Sequence, residues 1–99
     1  MKRLKFSCDD RYEAEKLAGL VSVQKDGTFY VDGVTAVIGN EIVIKLKDKS
    51  SHAVVMKDGE NVTKLEALLR DVAKGKAMIL SSDFEGAVAE IKIEEEKED

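Results

Sequence analysis

Alternation opens the chain. Leu4, Phe6 and Cys8 fall on one side of an extended segment, and Arg3, Lys5 and Ser7 on the other. That is the period of a half-buried strand. After Asp10 the spacing changes: Ala14, Leu17, Ala18 and Val21 recur at helical intervals while Glu13, Glu15 and Lys16 point away. Asp10 followed three residues later by Glu13 is a capping pair that opens a helix. Gly19 marks its expected end.

The middle of the chain reads as a meander. Strands are predicted over Leu20 to Lys25, Thr28 to Val31, Val34 to Ile38, Glu41 to Lys47 and His52 to Lys57. Asp26-Gly27, Asp32-Gly33, Gly39-Asn40 and the Asp48-Lys49-Ser50 stretch separate them, chemistry that suits tight turns. Two of these signals lie so close together that Gly33 has a second reading, a bulge within one longer strand. A second helix follows, with Asn61 as its predicted N-cap and Gly75 as its stop. Val62, Leu65, Leu68, Leu69 and Val72 form its apolar stripe. Lys76 to Leu80 then reads as a strand, Ser81 to Gly86 as a turn, and Ala87 to Ile93 as the last strand.

The predicted class is therefore α+β: a mostly antiparallel multi-stranded sheet with two helices packed on one face. The order is strand, helix, strand meander, helix, two strands, and it resembles a ferredoxin-like unit with extra strands in pattern only. No internal repeat is visible along the chain. One domain over residues 1–93 is expected, with residues 94–99 as an acidic, flexible tail.

Charge sharpens that division. The net charge of the 99 residues is −4. Residues 94–99 hold five acids and one base, which leaves the rest of the chain balanced. A balanced body has no general attraction for nucleic acid or anionic lipid, although a local patch can still form. One Cys makes neither an internal disulfide nor a thiolate zinc site, which points to a reducing cytoplasm. Lys and Glu abound while Gln and Asn are confined to Gln24, Asn40 and Asn61, a balance seen in heat-adapted proteins. The absence of Pro runs against that habit.

Catalytic chemistry finds little purchase. His52 is the one imidazole and Cys8 the one thiol. Cys8 continues the apolar face of Leu4 and Phe6, as a buried structural residue would. Asp26, Asp32 and Asp58 each precede Gly, which is turn chemistry. No Gly-rich phosphate loop, calcium loop or metal-ligand spacing is present. No catalytic residues, metal or cofactor are expected, and the chain does not read as an enzyme.

Three functions fit what is left. The first is a protein–protein interaction module or small subunit, including a homodimer, contacting its partner through Tyr12, Tyr30, Val37, Val43 and Val55. Tyr12 falls away from the apolar side of its helix, and the valines lie opposite the main apolar faces of their strands. The second is an RNA-binding protein using a lysine stripe of Lys45, Lys47, Lys49 and Lys57, extended by Arg3 and Lys5. Few aromatics accompany these lysines, and Arg is scarce. The third is a small-molecule-binding regulatory domain with a pocket between the second helix and the sheet.

Overall fold

The computed structural model describes residues 1–22 and 29–95. Eight elements follow in order: β1 (Lys2–Ser7), α1 (Arg11–Leu20), β2 (Val31–Ile38), β3 (Glu41–Leu46), β4 (Ser51–Val55), α2 (Gly59–Ala73), β5 (Ala77–Glu85) and β6 (Val88–Glu95). The strands form two antiparallel three-stranded sheets, ordered β1-β6-β5 and β2-β3-β4. The class is α+β, as the patterning predicts.

These pairings reveal what the sequence conceals. The chain is a β-α-β-β unit built twice, β1-α1-β2-β3 and then β4-α2-β5-β6. Each unit lends its first strand to the hairpin of the other, so β1-β6-β5 and β4-β3-β2 are the same arrangement. A ferredoxin-like unit does not describe it. Hydrogen bonds repeat across the pseudo-dyad. Asp9 N–H donates to Val55 O and Lys57 N–H to Ser7 O, both at 3.0 Å. Cys8 N–H donates to Ala87 O at 2.8 Å and Met56 N–H to Asn40 O at 2.7 Å. Cys8 and Met56 face each other as an antiparallel bridge where the two sheets meet. The repeat escapes notice in the sequence because matched residues are few and scattered: Asp10 with Asp58, Lys16 with Lys64, Leu17 with Leu65, Leu20 with Leu68, Gly39 with Gly86, Ile44 with Ile91 and Lys45 with Lys92.

Local chemistry explains the matched elements. Asp10 Oδ1 accepts from Glu13 N–H at 2.9 Å and Asp58 Oδ1 from Asn61 N–H at 3.0 Å, so each helix opens on an aspartate cap. Asp58, not Asn61, is thus the cap of α2, which starts two residues before the predicted cap. Asn61 instead lies in the first turn and accepts from Ser7 N–H at 2.8 Å. The β2–β3 and β5–β6 hairpins turn through Gly39-Asn40 and Gly86-Ala87, with φ of 60° and 57° at the glycines. Positive φ at the first of two loop residues suits hairpin twist and favours Gly.

Four boundaries differ from the sequence reading. Val31–Ile38 is one strand with irregular register between Val31 and Gly33 and again between Val34 and Ala36, so Asp32-Gly33 is not a turn. The segment from Ser81 to Glu85 is strand and not turn, with a matching irregularity between Ile79 and Ser81. Glu94 and Glu95, assigned above to the tail, belong to β6 and pair with Met78 and Ala77. The strand expected over Leu20 to Lys25 does not start there, since Leu20 closes α1 and Val21 caps it. Residues 23–25 of that strand, the predicted Asp26-Gly27 turn, Thr28 and residues 96–99 lie outside the described residues.

One core fills the molecule. Phe6, Leu17, Ile42, Ile44, Leu65, Ile91 and Ile93 are fully or almost fully buried within a single cluster drawn from both units. α1 packs chiefly on β5 and β6, and α2 on β2. No helix among the described residues is long and apolar enough to cross a membrane.

Candidate functional site

A strand within a sheet shows one face to the helices and leaves the other outside. In β2-β3-β4, cross-strand partners assign each side chain to a face. Ile42 and Ile44 are buried, so their partners Val37, Val34, Val54 and His52 share the inner face. The outer face then carries three rows: Ile38, Glu41 and Val55; Ala36, Val43 and Ala53; Gly33, Lys45 and Ser51. Five apolar side chains thus stand together, with Val43 at their centre. Ile38 is 68% exposed. Glu41 and Lys45 flank Val43 along the strand, and neither forms an ion pair among the described residues.

The predicted contact residues divide. Val43 and Val55 lie on this outer panel, as their alternation implies. Val37 does not: the irregularity between Val34 and Ala36 shifts the parity of β2, placing Val37 on the inner face at 42% exposure and Ala36 and Ile38 outside. Sequence reasoning missed Ile38, Ala36 and Ala53, and only the bulge, which has no sequence signature here, brings the first two out. Tyr12 is 70% exposed on α1, with the Lys16 ammonium 5.2 Å from its ring centre. Lys16 in turn donates to Ala53 O at 2.9 Å, which sets Tyr12 beside the β4 edge of the panel. Tyr30, 39% exposed, precedes β2 and accepts from Lys47 N–H at the far end.

The lysine stripe is shorter than its sequence reading. Lys45 lies on the outer face of β3, Lys47 just past the end of that strand, and Lys49 in the β3–β4 turn at φ 72°. Lys57 lies six residues beyond Ser51, the partner of Lys45, so about 20 Å of strand separates it from that group. Arg3 and Lys5 are on the other sheet among carboxylates, with Arg3 3.8 Å from Glu90.

Cys8 and His52 show no nucleophilic arrangement. Cys8 is buried, and burial first, then Glu13 and Asp10, push its thiol up to about 11, which keeps it protonated and inert. His52 Nε2 is 2.9 Å from Ser50 Oγ, which also contacts Asp48 Oδ1. A carboxylate only accepts, so the single hydroxyl proton goes to Asp48, and His52 cannot take it as a base would. Ser50's hydroxyl and then its amide hold the Asp48 carboxyl below its usual range. This trio shapes the turn that holds Lys49.

Several concavities mark the surface, among them one of about 240 Å³ between β2 and α2, lined by Val34, Glu66, Leu69 and Arg70. A second, of about 580 Å³, lies over β1-β6-β5, lined by Lys5, Asp83, Glu85, Val88 and Glu90. Another, of about 510 Å³, lies at the end of α2 between Val31, Val72, Ala77 and Ile79. All three are open grooves. No group of His, Cys, Asp or Glu among the described residues is placed to hold a metal. No family model, curated protein or solved structure matches this chain.

Proposed function

We propose that this protein is a non-enzymatic protein–protein interaction module whose contact surface is the outer face of β2-β3-β4. One observation carries the reading: Ile38, exposed, and Ala36, Val43, Ala53 and Val55, half-buried, form a contiguous apolar panel on the sheet face opposite the buried Ile42 and Ile44. Contiguous exposed apolar patches mark contact sites, whereas scattered ones do not. RNA binding ranks below it, because the panel carries no aromatic platform and the lysines near it number three. A ligand pocket ranks below both, since the concavities along α2 are open grooves and not enclosed cavities.

The test is Val43→Asp, which puts a charge at the centre of the panel and leaves the core untouched. Association measured with the full chain, with itself and with proteins of its native lysate, is expected to be lost in the variant while the melting temperature stays close to that of the parent. Equal association by parent and variant would overturn the reading.

A further inference from the structure

We infer that the occupant of this panel is a second copy of the chain, seated face to face about a dyad that runs across the strands at the level of Val43. The inference rests on the reading of the panel as the contact surface and names what covers it.

The argument is one of symmetry and charge. A two-fold axis lying between stacked sheets and perpendicular to the strands reverses strand direction while keeping β2 over β2 and β4 over β4. Glu41 then stands over Lys45 of the second copy, and Lys45 over its Glu41. Ala36, Val43 and Ala53 form the central row and meet their own counterparts. Ile38, the most exposed apolar side chain of the panel, stands over Gly33, where a Cβ would find nothing within 4 Å. The projecting residue of one copy therefore meets an open place in the other, and Val55 meets the small Ser51. The other face-to-face dyad, along the strands, stacks Glu41 on Glu41 and Lys45 on Lys45. Like charges at closest approach reject it. Glu41 and Lys45 have no ion-pair partner within the chain among the described residues, so both are free to make these contacts.

Size sets the strength. Three strands spaced about 4.8 Å apart and six residues long give a panel of roughly 15 by 20 Å, or about 300 Å² per copy. That is about 600 Å² over both copies, well under a standard interface, so the contact is a weak, transient one that forms only at high chain concentration.

Sedimentation equilibrium across chain concentrations from about 1 μM to 1 mM reads the result. The parent is expected to pass from monomer to dimer in that range. Glu41→Lys alone and Lys45→Glu alone each set two like-charged pairs across the dyad and are expected to weaken dimerisation at least tenfold. An equimolar mixture of these two variants is expected to form a heterodimer, because one panel is then wholly basic and the other wholly acidic. The double variant Glu41→Lys with Lys45→Glu restores both pairs and is expected to dimerise as the parent does. Circular dichroism melts of each variant check that the fold is kept, and the mixture reads the same register even where one variant is destabilised.

The failures separate. A parent that stays monomeric at 1 mM overturns the second copy but leaves Val43→Asp to judge the contact surface with other proteins. A dimer broken by Val43→Asp but not rescued by the double variant or the mixture overturns the register. A dimer indifferent to all three positions uses another face, which overturns both readings.

Discussion

The two sheets are the same object on the inside and different objects on the outside. Across the pseudo-dyad, Ile44 matches Ile91, Ile42 matches Ala89, and Leu46 matches Ile93, with apolar side chains directed inward in each case. Outside, Val43 of β3 corresponds to Glu90 of β6, which pairs with Lys5 and Asp83. One outer face is a lattice of mixed charges and the other an apolar panel. Packing dictates the inner positions, because the same helix-on-sheet core must be filled twice. Nothing in the fold dictates the outer ones. A difference there, between faces of matched backbone geometry, reports what each face meets.

The inner equivalence is the part most easily broken. Ile44 and Ile91 are both fully buried. Truncating either to Ala removes three methyl(ene) groups and leaves a cavity, a loss of about 3 kcal/mol. Urea unfolding of Ile44→Ala and Ile91→Ala is expected to give losses within about 1 kcal/mol of each other. Costs differing by more than that would show that the two halves do not share the core equally, whatever their topology.

The outer difference is tested by exchanging it. Val43→Glu is expected to weaken self-association at least tenfold, since a charge at a closing apolar contact is desolvated without a partner. Glu90→Val, the reciprocal change, is expected to leave association unaltered, because its neighbours on β1 and β5 stay charged. Each is expected to move folding stability by about 1 kcal/mol or less, the range of strand propensity on an open face. If Glu90→Val strengthened association as much as Val43→Glu weakened it, a single residue and not a panel would control the surface.

Much of this architecture was legible in residue spacing, and the part that was not has a definite cause. Period-two alternation located β1, β3 and β6, and the Leu65-Leu68-Leu69 stripe located α2. Val43 and Val55 could be placed because their strands keep strict alternation between neighbours of opposite character. Val37 could not, because an extra residue near Thr35 inverts the parity of every position beyond it, and a bulge is a property of pairing. The duplication was illegible for a related reason. A repeat held by backbone hydrogen bonds and apolar volume asks for Phe or Val, Cys or Met, Ile or Ala, without asking for identity. The residues matched by identity include those with a specific chemical duty, the helix caps, the two edge lysines and the hairpin glycines, beside a few apolar pairs such as Leu17 with Leu65 and Ile44 with Ile91.

Those lysines offer a subtler contrast. Lys16 donates to Ala53 O at 2.9 Å and Lys64 to Lys5 O at 3.0 Å, each closing the free edge of the strand that opens the other unit. A lysine there blocks edge-to-edge pairing as well as satisfying a carbonyl. Their surroundings differ. Glu13 Oε2 is buried, and the Lys16 ammonium lies 2.9 Å away, off the hydrogen-bonding line but close enough to balance its charge. Removing that ammonium leaves a carboxylate buried without its cation. Lys16→Met is therefore expected to cost about 1–2 kcal/mol in chemical denaturation, and Lys64→Met, at an exposed site, about 0.5 kcal/mol. Adding Glu13→Gln to Lys16→Met should recover part of the larger loss. Equal losses at the two lysines, or no recovery, would remove Glu13 from the account.

The smallest effect concerns the cap of the second helix. Asp58 accepts from the backbone N–H of Asn61 at 3.0 Å and from its Nδ2 at 2.9 Å, while Asp10 accepts one bond at the equivalent place. The Asn61 amide, then its side chain, hold the Asp58 carboxyl below its usual range. Its folded-state value is thus lower than its unfolded value, so the unfolded chain takes up the proton first as the solution is acidified. The stabilisation is complete above the unfolded carboxylate value of about 3.9 and is lost as pH falls through the lower folded value. Asparagine caps a helix nearly as well and does not titrate. Melting temperatures of the parent and of Asp58→Asn, followed from pH 7 to pH 2, are expected to differ by a constant amount down to about pH 4, and the parent is expected to lose ground below it. Parallel curves over the whole range would mean that this carboxylate binds its proton equally in both states, and that the two bonds from Asn61 hold the helix start without drawing on its charge.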